Sequence, residues 1–130
     1  MVYYEYVYLQ DKTKIPDDCS EFQFFGLENI ELPDLPNSFI KLFCSNNNLT
    51  KIPELPDSLE YLECTYNKLT ELPELPNSLE YLWCYNNNIK YLSPNNCEVI
   101  KKCRELKILD NPFSANFTNK NDFLEYLMNL

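Results

Sequence analysis

The sequence predicts an α/β solenoid: a short horseshoe of stacked coils, with a parallel β-sheet on the concave face, an extended, polyproline-like convex side and a carboxy-terminal capping helix. Two repeated phrases carry this expectation. An eleven-residue pattern, LxxLxCxxNxL, recurs every twenty residues, as Phe39 to Leu49, Leu59 to Leu69 and Leu79 to Ile89. Between its copies, Leu32-Pro33-Asp34-Leu35-Pro36-Asn37-Ser38 is echoed by Ile52 to Ser58 and by Leu72 to Ser78. A unit this short cannot bury its apolar residues alone, so neighbouring units must stack and share one core.

The elements follow in chain order. Tyr3 to Leu9 alternates and is rich in β-formers, which predicts an amino-terminal capping strand or hairpin arm within residues 1–18. Ile15-Pro16-Asp17-Asp18-Cys19 aligns with the proline phrase, so a degenerate first repeat starts near residue 19 and drifts one residue out of register by Ile30. Further repeats start near 39, 59, 79 and 103, about five in all within a single domain spanning 1–130. Two prolines three apart fix φ and remove donors, so no helix forms in the connecting phrases. Leu35, Leu55 and Leu75 are expected to point inward from them. The unit from Leu79 to Lys102 is 24 residues long. Its four extra residues predict a short helix, with Asn96 as a candidate cap. After Phe113, residues 114–130 form the terminal cap, with a helix over about 121–130 whose Phe123, Leu124, Leu127 and Leu130 share one face.

Side chains alternate across a strand, which divides each repeat into two roles. Leu42 with Cys44, Leu62 with Cys64, Leu82 with Cys84 and Leu106 with Ile108 should face the core. The ninth position holds Asn47, Asn67, Asn87 and Asn111, an amide that can satisfy backbone groups where the chain leaves the strand. Cys44, Cys64 and Cys84 would stack in a column about 4.8 Å apart. With no histidine and no CxxC pair, that column reads as small buried hydrophobes and not as a metal site. No cofactor is implied.

The outward positions are the candidate binding residues: Lys41 and Phe43; Tyr61, Glu63 and Thr65; Tyr81, Trp83 and Tyr85; Glu105 and Lys107. The row from Tyr81 to Tyr85 is aromatic throughout and contains the only tryptophan. Aromatic side chains on a rigid sheet give large contact area for little entropy, which is what hot spots use. The competing reading is that cross-strand aromatic pairs stabilise the sheet alone.

Charge and composition narrow the function classes. A net charge of −9 argues against nucleic acid and anionic membrane as partners. No stretch approaches the ~20 apolar residues of a membrane span, and the first residues lack the features of a secretory signal. Free cysteines in core slots fit a reducing, cytoplasmic compartment. The sequons at Asn48 and Asn116 therefore carry no weight. No histidine, no phosphate-binding glycine loop (Gly26 is the only glycine) and no metal-ligand spacing is present, so an enzyme is not expected.

The unit LPxxLxxLxCxxNxLxxLPE resembles the short bacterial class of leucine-rich repeats found in secreted effector proteins, closely over residues 32–92 and loosely over 13–113. It is also similar to short repeat proteins encoded by AT-rich genomes, such as those of giant viruses and amoebae. The resemblance implies a host-protein-binding module, acting in the host cytoplasm if effector-like. Some such effectors carry a ubiquitin-ligase domain, to which nothing after Phe113 corresponds. The departure is cysteine in the third apolar slot, where valine is common. The expected function is a non-enzymatic module that binds a protein partner through the aromatic concave face. The alternative is a self-associating protein, a homodimer through that face or through a solenoid end.

Overall fold

A computed structural model describes residues 3–4, 15, 18–24 and 31–129. Six short parallel strands form one sheet in sequence order: β1 (Tyr3–Tyr4), β2 (Glu21–Gln23), β3 (Lys41–Phe43), β4 (Tyr61–Glu63), β5 (Tyr81–Trp83) and β6 (Glu105–Lys107). Two helices follow the last strands in the chain, α1 (Pro94–Lys102) between β5 and β6 and α2 (Lys120–Met128) after β6. This is an α/β solenoid-like arrangement with evenly spaced strands. The register states the repeat in space: Glu21, Lys41, Tyr61, Tyr81 and Glu105 are successive partners, as are Phe22, Leu42, Leu62, Leu82 and Leu106.

Every strand from β2 to β5 has a buried central residue between two half-buried ones, because neighbouring Cβ atoms point to opposite faces. The inward row continues just past each strand through Cys44, Cys64, Cys84 and Ile108, all without exposed surface. Ladder bonding continues there too, with Cys44 N donating to Glu63 O, Cys64 N to Trp83 O and Cys84 N to Lys107 O. Leu49, Leu69 and Ile89 close the core below the strands, and Ile52, Leu55 and Leu75 close it from the proline phrases. Leu35 is only partly buried.

The proline phrases hold together through turns and serine hydroxyls. Phe39, Leu59 and Leu79 donate their N–H back to Pro36, Pro56 and Pro76. Ser58 Oγ donates to Asn37 and Phe39 carbonyls of the previous coil, and Ser78 Oγ does the same to Asp57 and Leu59. Proline removes donors from these segments, so the hydroxyls supply bonds between coils that the backbone cannot.

The structure refines the sequence expectation at the ends. Tyr3–Tyr4 pairs with Glu21 and Phe22 in parallel, as a further coil does and a hairpin arm does not; residues 5–9 of the expected strand lie outside the described residues. The first repeat is in register through Phe24, whose N–H reaches Phe43 O, and the slip expected at Ile30 lies outside the described residues. Ser93, not Asn96, caps α1, accepting from the Asn96 N–H. Pro94 takes the first helical position, which places Asn96 inside the turn and turns its amide onto the preceding coil, bonded to Leu75 N and Pro73 O. The last helix runs Lys120–Met128, starting one residue before the expected span, because Asn119 caps it with its Oδ1 accepting from Asp122 N. Its Phe123 and Leu127 are buried, Leu124 is partly buried, and Leu130 lies outside the described residues. Phe113, Phe117 and Phe123 pack ring against ring at 5.3–5.4 Å beneath it. No helix among the described residues is long and apolar enough to cross a membrane.

Candidate functional site

Beneath the outward face runs a column of asparagines that fixes the strand ends. Asn67 Oδ1 accepts from Asn47 N and Leu49 N, while its Nδ2 donates to the carbonyls of Cys44, Cys64 and Thr65. Asn87 repeats this onto Leu69 N and the carbonyls of Cys64, Cys84 and Tyr85. Asn111 accepts from Ile89 N and donates to Cys84, Ile108 and Leu109 carbonyls. Asn47 donates to Phe24, Cys44 and Ser45 carbonyls. Each amide thus ties its own coil to the preceding one, and no buried side-chain nitrogen or oxygen among the described residues lacks a partner. A rigid edge of this kind holds the outward side chains in fixed positions.

Those side chains form two rows across the sheet. The first runs Glu21, Lys41, Tyr61, Tyr81, Glu105; the second runs Gln23, Phe43, Glu63, Trp83, Lys107. In the first row Tyr61 and Tyr81 stack face to face, with centroids 4.0 Å apart and planes 8° from parallel. Lys41 Nζ lies 4.7 Å from the Tyr61 centroid and 3.1 Å from a Glu21 carboxylate oxygen. In the second row Lys107 Nζ sits 3.8 Å from the Trp83 ring. Phe43, Tyr61, Glu63, Tyr81, Trp83 and Glu105 surround a shallow cleft of about 260 Å³ with Leu62 at its base.

The electrostatics of the cleft centre on Glu63. Partial burial among rings pushes its carboxyl above the ordinary value, and the Lys107 ammonium pulls the other way without cancelling it. The neighbouring Tyr81 phenol raises the Tyr61 phenol. The buried thiols behave as hydrophobes: burial pushes Cys84 up to about 12 and takes Cys44 and Cys64 further in the same direction. Among the described residues, no group of three or more Cys, Asp or Glu side chains is placed to hold a metal ion.

Of the ten outward candidates, Lys41, Phe43, Tyr61, Glu63, Tyr81, Trp83, Glu105 and Lys107 come together around this cleft. Tyr85 stands at the lower edge, beyond the strand. Thr65 must be withdrawn from the set. It is 4% exposed, and its N–H and hydroxyl both donate to Ser45 Oγ of the preceding coil at 3.0 Å. A small β-branched residue there packs between coils and offers no contact surface.

One residue of this surface was missed. Tyr66 is 47% exposed and has φ 52°, whereas the equivalent Asn46, Asn86 and Asp110 are of types that tolerate a left-handed backbone. Its ring meets Tyr85 edge-on at 5.1 Å, extending the aromatic surface below the strands. The signal lay in the sequence: a tyrosine stands where the other coils carry Asn or Asp.

Compared with known proteins, the chain matches no family model and no curated protein sequence.

Proposed function

We propose that this chain is a leucine-rich-repeat protein, a short horseshoe whose concave, aromatic sheet face binds a protein partner without catalysis. The observation that carries the reading is the cleft itself: four aromatic side chains gathered on short strands whose positions are fixed by the asparagine column. Contact area of this kind is stabilising on burial and costs little side-chain entropy, because the rings are already ordered by stacking. Charged side chains at the rim, Lys41, Glu105 and Lys107, would set the orientation of the partner. The repeat resemblance supports an effector-like role in a host cytoplasm and adds no residue to the site.

The test is capture of a partner by the wild-type chain and by Trp83→Ala/Tyr85→Ala, with circular dichroism on both. Loss of capture by a folded double variant is the expected result. Retained capture by that variant would remove the face from the account. Self-association is a second reading, favoured by the exposed Tyr126 and Met128 on the terminal helix at the β6 end. A sedimentation coefficient that stays at the monomer value at every concentration would exclude it.

A further inference from the structure

We propose that the cleft over β4 and β5 receives the guanidinium of an arginine, carried on a basic segment of the partner protein. This rests on the reading of the face as a protein-binding surface and names the anchor it takes.

Three observations converge. The walls are rings that accept cations in this geometry, since Lys107 lies over Trp83 and Lys41 over Tyr61 within the chain. Those two lysines reach the rings from the outer strands, β6 and β3. Between them, Glu63 lies in register with Phe43 on one side and Trp83 on the other.

The second observation is unpaired negative charge. Among the described residues, ion pairs join Lys41 to Glu21 and Lys101 to Glu98, and neither Glu63 nor Glu105 takes part in one. Glu63 is held among rings that desolvate it, and Lys107 offsets that only in part. A carboxylate partly removed from water with no cation in contact is complementary to an incoming positive group. The chain's net charge of −9 adds attraction at long range.

Size is the third. At about 260 Å³ the cleft is smaller than sites for small-molecule ligands and cofactors, which start near ~300 Å³, and suits one inserted side chain. Arginine fits better than lysine. Its planar group can stack on a ring while its paired N–H donors meet a carboxylate, which a point ammonium cannot do.

Trp83 is the only tryptophan, so its emission reports this cleft alone. Acetyl-tetra-arginine amide is titrated at low ionic strength into the full chain, with acetyl-tetra-citrulline amide as the neutral isostere. Glu63→Gln and Glu71→Gln are titrated alongside, the latter altering the separate acidic groove around Lys51. The expected result is a saturable change in Trp83 emission with the arginine peptide and a much weaker one with citrulline. Glu63→Gln should weaken binding about tenfold, and Glu71→Gln should leave it unchanged. Equal binding by Glu63→Gln, an equal response to citrulline, or no response of Trp83 would overturn the proposal. Those outcomes leave the face itself standing if Trp83→Ala/Tyr85→Ala still abolishes partner capture, so the two readings fail separately.

Discussion

Replacing Asn67 with alanine removes five hydrogen bonds from a site that is 7% exposed. Their loss is unequal. The three carbonyls each keep another donor: Cys44 O retains Asn47 Nδ2, Cys64 O retains Asn87 Nδ2, and Thr65 O retains Asn46 N. The two backbone donors, Asn47 N and Leu49 N, lose the Oδ1 that bonds both. A buried donor that loses its acceptor costs about 1–3 kcal/mol, so two such losses, eased by local relaxation, give about 2–4 kcal/mol. That is a large share of the ~5–15 kcal/mol that holds a domain folded. Asn87 Oδ1 bonds a single backbone donor, Leu69 N, so Asn87→Ala should cost roughly half as much. Urea unfolding followed by both Trp83 emission and circular dichroism measures the two variants, and coincident curves check that the coil array melts as one unit. An Asn67→Ala cost below about 0.5 kcal/mol, or no larger than that of Asn87→Ala, would refute the assignment of the acceptor as the stabilising atom.

Two further outcomes follow from partly or fully buried titratable groups. Glu63 has a carboxyl raised in the folded state, so its contribution to stability is present while it is protonated. That contribution is lost as pH rises from the ordinary carboxylate value through the raised one. Glu63→Gln should therefore melt higher than wild type at neutral pH, with the difference vanishing in acid. Solvent screening keeps the gain small, and a lower melting temperature at neutral pH would contradict the desolvation argument. For the thiols, a disulfide-exchange reagent at pH 8 should reach Cys97 and Cys103 slowly in the native protein, since these are only partly buried. Cys44, Cys64 and Cys84 should react only on unfolding, when all six thiols become titratable. Rapid labelling of four or more native thiols would show that the column is open.

The twenty-residue period was enough to place the parallel strands because each strand from β3 to β6 is three residues long with the leucine of the pattern at its centre. An amide recurring in an apolar frame is likewise legible as a hydrogen-bonding slot. Which carbonyls it reaches is not, because that depends on the stagger between coils. Alternation, the rule that sorts inward from outward residues, holds only while the backbone is extended. It therefore sorted Tyr61 and Glu63 but not Thr65, which lies past the end of β4 and is buried against Ser45. Tyr66 escaped for the same reason: beyond the strand, exposure is set by backbone conformation, and a φ of 52° turns its ring outward beside Tyr85. The helix caps at Ser93 and Asn119 were within a few residues of the expected ones, since several Ser and Asn side chains near each helix start can serve. The pairing of lysines with rings was not legible at all. It follows from neighbouring coils bringing residues twenty or more positions apart, Lys41 and Tyr61 or Trp83 and Lys107, side by side.

The most direct test of the binding face is acrylamide quenching of Trp83 across a dilution series of the purified protein. An accessible cleft requires emission that is quenchable to the same extent at every concentration, with Lys107→Ala increasing the quenching by uncovering one ring face. Emission that is shielded at high concentration and opens on dilution would transfer the face to self-association. Shielding at all concentrations would mean that the cleft is covered within the chain and cannot be where a partner binds.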